Sequence, residues 1–323
     1  MSVRRLLAIT LVSGFLLPGS ARAVEPPAEQ FKSSVDVVSV SAVVRDRKGR
    51  FVRDLSQRDF VIADAGQSKQ ILDFRSEADG PVTLGLLMDA SGSMRVGTNA
   101  VDARQAARQI FSALRQGDEV AIFSFDTKLD RVRGFTRDIA SLDGSLDTMN
   151  PPFGQTSLHD AIAKAAEAVA AHGRGGGRIA QRSALVVITD GVDTASLATT
   201  RQVADAASAI DVPVYVVAVM SPINDIKVDD TPAFDAPGLT RLAQGTGGEL
   251  FTSTTPAQAH VAAKRIVDEL RHQYVIAFEV SAEGGWRSLD VRARNPKLTV
   301  RARTGYSAGA SGRATREVTR EVL

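Results

Sequence analysis

The sequence predicts an α/β protein: a doubly wound, mostly parallel sheet with helices on both faces, flanked by N- and C-terminal β segments. Three observations predict it. Residues 82–87, 120–125, 184–188 and 212–219 are nearly continuous apolar runs, the pattern of strands buried on both faces. Between them, residues 102–115, 158–171 and 199–210 carry apolar side chains at helical spacing. Strands alternating with helices build a parallel sheet covered on both sides. On either side of this block, β-branched residues alternate with polar ones and no helical stripe is present.

Composition narrows the class. The 323 residues are 44% hydrophobic and 24% charged, ordinary for a folded chain and unlike a disordered one. With no cysteine there is no disulfide, no thiolate metal site, no iron–sulfur cluster and no cysteine nucleophile. Four histidines leave little room for a zinc enzyme, and three tyrosines with one tryptophan argue against a base-stacking surface.

At the amino terminus, Arg4 and Arg5 precede a mostly apolar run at 6–17, broken by Pro18 and Gly19. Ala21-Arg22-Ala23 then fits a small-x-small cleavage site, so residues 1–23 read as a signal peptide. The run is short of the roughly 20 residues a spanning helix needs. No cysteine follows it, which excludes a lipoprotein anchor, and no later segment is long and apolar enough to span. We expect an exported product, periplasmic or secreted, with no transmembrane span in the mature chain; the alternative is an uncleaved anchor. Removing Arg4, Arg5 and Arg22 leaves 36 basic residues against 37 acidic, so net charge gives no support for nucleic-acid binding.

The elements follow in order. Residues 24–34, with Pro26 and Pro27, read as a linker. Residues 35–79 read as an N-terminal β module: a strand at 35–44, a turn at Asp46–Gly49, short strands at Phe51-Val52 and 60–62, a turn at Asp64–Gly66, and a strand at 69–74. Residues 80–272 hold the α/β block. In it, Ser157 and Asp160 fit a capping box before the 158–171 helix. A short helix is expected at 236–245 and a short strand at 249–252. Thr255, Pro256 and Gln258 begin the last helix as N-cap, first residue and capping-box partner. Residues 273–306 return to β, with strands at 274–280, 287–294 and 298–303. Residues 307–323 read as a flexible tail or a weak helix. Neither β segment alone has enough residues for a good core, so we expect the two to pack together as a small sandwich with the α/β block inserted between them; the alternative is two separate decorations.

The segment Met88-Asp89-Ala90-Ser91-Gly92-Ser93-Met94 follows the first buried strand. Ligands of open parallel sheets bind outside the carboxyl ends of the strands. Asp89, Ser91 and Ser93 offer a carboxylate and two hydroxyls within five residues, and Gly92 permits a tight turn. Thr156 lies just before one helix and Asp190 just after one strand, so both belong on the same rim. An all-oxygen set suits a hard cation such as Mg2+, not zinc, with Mn2+ or Ca2+ possible. His159, one turn into its helix, and Asp193, near Asp190, are candidate rim or supporting groups.

This constellation resembles the von Willebrand factor A-type domain. DASGSM is similar to its metal-ion-dependent adhesion motif, Asp-x-Ser-x-Ser, while Thr156 matches the family's isolated threonine and Asp190 its later aspartate. All five positions are intact, and the resemblance covers about residues 80–256. The flanks, with DAGQSKQILDF before the domain and YVIAFEV…RARTGY after it, resemble an exported subfamily common in acidobacteria. The resemblance implies that Ser91, Ser93 and, in one state, Thr156 coordinate Mg2+ directly, while Asp89 and Asp190 act largely through waters. It further implies an open coordination position for an aspartate or glutamate of a partner protein.

Ser91 fails the Gly-x-Ser-x-Gly pattern of a nucleophile elbow, and no histidine but His159 lies in these loops, so the expectation is a binding module and not an enzyme. The alternatives are a structural or assembly protein with a fold-stabilising metal, and a metal-assisted hydrolase. Gly173–Gly177 follows a helix and precedes a strand, the wrong order for a dinucleotide loop. Residues 221–237 carry four aspartates without calcium-loop spacing. Asp118 reads as a turn residue. Arg292, Arg294, Arg301 and Arg303 read as a solvent-facing basic cluster.

Overall fold

The computed structural model describes residues 32–76, 80–149, 154–174, 182–220, 234–280, 284–308 and 314–319. Ser34–Arg316 form one compact unit, and every contact below lies within it. The expected signal peptide and nearly all of the linker lie outside the described residues, as do 175–181 and 221–233.

The N-terminal flank comprises β1 (Lys32–Arg45), β2 (Phe60–Asp64), β3 (Gln67–Lys69) and β4 (Ile71–Arg75). Along β2, Phe60, Ile62 and Asp64 are buried while Val61 and Ala63 are half-buried, the period of a strand with one core face. The single strand expected at 69–74 is two strands broken at Gln70, because β3 pairs with β2 while β4 joins the opposite sheet. Phe51 makes an isolated bridge with Arg45 in place of the expected strand.

The α/β block follows: β5 (Val82–Asp89), α1 (Asn99–Ala113), β6 (Glu119–Phe125), β7 (Leu129–Thr136), α2 (Asp143–Asp147), α3 (Leu158–Arg174), β8 (Arg182–Thr189), α4 (Thr200–Ala209), β9 (Val214–Val219), α5 (Ala236–Gly245), β10 (Leu250–Ser253) and α6 (Pro256–Arg271). Its sheet runs β10-β9-β8-β5-β6-β7, parallel except for β7. Every residue of β5 is buried, as its apolar run requires. One face of the sheet packs on α1 and α6, the other on α3, α4 and α5. Gly85 permits the close approach of α3, since a Cβ there would sit 2.5 Å from Val169 Cγ2. The edge strand β7 was not anticipated. Its register slips twice against β6, so Leu129, Val132 and Phe135 recur every three residues and hide the strand period.

The C-terminal flank is β11 (Gln273–Glu279), β12 (Gly285–Ala293), β13 (Thr299–Ala302) and β14 (Gly305–Ala308); Ala314–Thr319 is a further strand, β15. The tail expected from residue 307 therefore carries strand at Ser307, Ala308 and 314–319. The two flanks pack together. One sheet runs β13-β1-β11-β4 and the other β14-β12-β2-β3, each mixing strands from both ends of the chain. They share a core of Val40, Phe60, Ile62, Tyr274, Ile276, Phe278 and Leu289.

Ion pairs join this sandwich to the α/β block. Asp118 is buried and accepts the N–H groups of Val82 (3.0 Å) and Arg115 (2.7 Å) while pairing with buried Arg271 at the end of α6. It is more than a turn residue: it ties the starts of β5 and β6 to the helix that leads into β11. Arg301 pairs with Glu249 and with fully buried Glu269, which also holds Arg45. Buried Arg303 pairs with Asp211 and donates to the Ser208 and Ser39 carbonyls. The expectation of a solvent-facing cluster is thus corrected for Arg301 and Arg303. Alternation turns them away from their own sheet, but the α/β block covers that side. Arg292 and Arg294 are exposed. The partners Ser208, Asp211 and Glu249 precede β9 and β10, so the sandwich contacts the amino ends of the parallel strands, opposite the rim that carries Asp89.

Candidate metal centre

The central strand β5 ends at Asp89, and its register with β8 puts Met88 opposite Ile188. Asp89 and Thr189 therefore meet where the two strands end. The Thr189 hydroxyl donates to Asp89 Oδ2 at 2.6 Å and accepts the Gly191 N–H at 2.9 Å. Asp89 Oδ1 accepts the Ser91 N–H at 2.9 Å, which turns the chain back over the strand end. The Ser91 and Ser93 hydroxyls lie 3.0 Å apart. The Ser93 hydroxyl also bonds Asp190, so the two carboxylates bracket the pair of serines.

The third loop arrives from the start of α3. Gly92 N–H bonds the Gly154 carbonyl at 3.2 Å, bringing Thr156 beside the serine turn. Thr156 is fixed from the other side as well: its N–H donates to Thr194 Oγ1, and its carbonyl accepts the N–H groups of Thr194 and Ala195, each at 2.9 Å. Asp89, Ser91, Thr156, Thr189 and Asp190 are each 5% exposed or less. Gly191 needs its glycine, with φ +79° and Phe234 Cδ2 2.1 Å from where a Cβ would stand.

Electrostatics mark the site as unusual. Burial, and then the nearby charge of Asp190, push Asp89 up to about 7, against the opposing hydrogen bonds from Ser91 and Thr189. Burial also pushes Asp190 up, against the Ser93 hydroxyl and the Val192 N–H. Two buried carboxylates that repel each other across a pair of hydroxyls fit a small divalent cation, which would neutralise both. The donor set is all oxygen and lacks the imidazole and thiolate ligands typical of zinc.

All five candidate ligand residues thus come together on one rim, with Gly92 at the serine turn. Asp193 and His159 lie one layer out. Leu158 N–H donates to Asp193 Oδ1 (2.8 Å), and His159 is buried between Asp193 Oδ2 and Thr200 Oγ1, each 3.1 Å from a ring nitrogen. The capping of α3 departs from the expected Ser157–Asp160 box. Asp193 and Ser196 serve the first helical N–H groups from another loop, and the Asp160 carboxylate accepts from Leu197 and Ala198 instead. Sequence reasoning missed Thr189, Thr194 and Ser196. The signal for Thr189 was a hydroxyl ending an apolar strand just before Asp190; the other two carried none.

Residues 84–192 match the family model of the von Willebrand factor type A domain. No curated protein matches the chain. Among solved structures, the chain is similar to conserved hypothetical protein BatB from Bacteroides thetaiotaomicron (18% identity, 58% of this chain and 98% of that one, TM-score 0.49). It is similar to von Willebrand factor type A from Catenulispora acidiphila (12% identity, 88% and 74%, TM-score 0.47). It is also similar to proximal thread matrix protein 1 from the mussel byssus with a zinc-occupied MIDAS motif (15% identity, 64% and 48%, TM-score 0.47).

Proposed function

With residues 84–192 forming a von Willebrand factor type A domain, we propose that this protein is an exported, metal-ion-dependent protein-binding module of the adhesion type. One observation carries the reading: three loops bring Asp89, Ser91, Ser93, Thr156 and Asp190 to one buried, all-oxygen rim with the two carboxylates in conflict. Ser91, Ser93 and Thr156 would hold Mg2+ directly, and Asp89 and Asp190 would act largely through waters. Mn2+ or Ca2+ are alternative occupants. The bound ion supplies a Lewis-acidic position that an aspartate or glutamate of a partner protein can fill.

The surroundings favour binding over catalysis. Hydrolysis needs a general base beside the reacting water. The nearest histidine, His159, has both ring nitrogens engaged by Asp193 and Thr200. The sandwich adds support, because it contacts the end of the parallel sheet away from the rim. Export rests on the pattern in residues 1–23. Among the described residues no helix is long and apolar enough to cross a membrane. An assembly role, with the metal chiefly stabilising the fold, is the second reading. It is favoured by the conflict between Asp89 and Asp190, which a cation would relieve in the absence of any partner.

Mn2+ separates the two. Water-proton relaxation of the Mn2+-loaded protein reports water on the ion. Binding of a short aspartate-containing peptide is expected to lower that relaxation, and the matching asparagine peptide is expected to leave it unchanged. Loading without any response to the carboxylate would support the fold-stabilising reading.

A further inference from the structure

The rim has two halves held in different ways. The loop that carries Asp190 is stitched to the start of α3, which carries Thr156. Thr194 and Ala195 bond the Thr156 backbone. Asp193 Oδ1 accepts from Leu158 N–H and from the Ser196 hydroxyl (2.6 Å), and Ser196 Oγ accepts the His159 N–H at 3.0 Å. Asp160 accepts from Leu197 and Ala198. His159 sits within this seam. Its Nδ1 faces the Asp193 carboxylate, so the proton resides there and Nε2 accepts from the Thr200 hydroxyl. Neither His159 nor Asp193 is among the five residues assigned to the ion. The serine turn meets this half through Gly92 N–H on the Gly154 carbonyl and through the Ser93 hydroxyl on Asp190.

We propose that His159 and Asp193 are positioning residues that hold Thr156 and Asp190 as one rigid half of the cation site. This rests on the cation-site reading above. The physical argument is pre-organisation. Three loops must present their oxygens together, and each loop free to move lowers the fraction of molecules ready to bind. A buried imidazole bonded at both nitrogens has one orientation, and it fixes the carboxylate that caps α3. Supporting partners of this kind are worth about 10–100-fold in metal affinity.

The test compares His159→Ala with His159→Asn, whose amide can replace the Nδ1–H bond to Asp193. Mg2+ affinity is read by calorimetry. Amide hydrogen exchange at Leu158, Thr194 and Ala195 is read on the metal-free proteins. His159→Ala is expected to weaken Mg2+ binding about 10–100-fold and to speed exchange at those amides, and His159→Asn to recover most of both. Wild-type Mg2+ affinity in folded His159→Ala overturns the proposal, as does an asparagine variant no better than alanine. If the wild type itself binds no Mg2+, the cation-site reading fails and exchange alone decides. Unchanged exchange in His159→Ala then overturns the positioning role, and faster exchange restored by asparagine supports it. Should His159→Ala not fold, Asp193→Asn serves as the second variant, with weaker binding and faster exchange expected and wild-type values for both overturning the proposal.

Discussion

Replacing Asp89 by asparagine is expected to stabilise the metal-free protein and to abolish its response to Mg2+. The two effects have opposite signs and one cause. In the metal-free fold Asp89 is raised from 3.8 to about 7, first by burial and then by Asp190. Between those values the folded protein holds a proton that the unfolded chain has released. The contribution of Asp89 to stability is therefore full below about pH 4 and is lost as pH rises to about 7, by up to about 4 kcal/mol. Asparagine keeps an oxygen for the Ser91 N–H, and its amide can donate to Thr189 Oγ1 as that hydroxyl rotates. Thermal melts from pH 4 to 8 with chelator should show this fall in wild type and a much shallower one in Asp89→Asn, which is the more stable above pH 7. The residual slope belongs to Asp190, raised by the same burial. Saturating Mg2+ should raise wild-type stability by about 2–3 kcal/mol at a hundredfold excess over the dissociation constant, and the variant by none. Equal slopes in the two proteins would refute the upward shift of the Asp89 carboxyl.

The largest loss of stability is expected far from the rim, at Asp118. The Arg271 and Asp118 side chains are 3% and 1% exposed, and Asp118 also serves the Val82 and Arg115 N–H groups. Asp118→Ala would leave a buried guanidinium without its carboxylate and a buried N–H without its acceptor. Breaking one side of such a pair costs about 3–5 kcal/mol. Replacing both partners by apolar residues of similar volume should cost less, because no charge is then stranded. Urea titration of Asp118→Ala and of the double variant checks both. A single-variant loss below about 1 kcal/mol would mean that water reaches the pair. Mg2+ affinity should be unchanged in either protein, since Asp118 immediately precedes β6 while the rim lies at the strand's other end.

These two positions show what the sequence could and could not carry. The strands β5, β6, β8 and β9 were legible because burial on both faces leaves an apolar run, and burial is what the fold requires of them. The edge strand β7 was not, because its slipped register breaks the alternation. Asp89, Ser91, Ser93, Thr156 and Asp190 were legible as chemistry: oxygen donors placed at or just beyond strand ends or before a helix. Thr189 was not, because its part comes from lying beside Asp89 across the β5–β8 pairing, a register no local pattern states. Asp118 read as a turn residue because its partner lies 153 residues away. Arg301 and Arg303 read as exposed because alternation reports which way a strand residue faces and not what covers that face.

The claim on which the rest depends is that three separate loops serve one ion. Thr156→Val tests it most directly, since valine matches threonine in shape, Thr156 is buried, and only the third loop loses its oxygen. Calorimetric titration with Mg2+ should give one site in the wild type and at least tenfold weaker binding in Thr156→Val, with the fold intact by its melt. Equal affinity in the two proteins, or no binding by the wild type, would contradict the account.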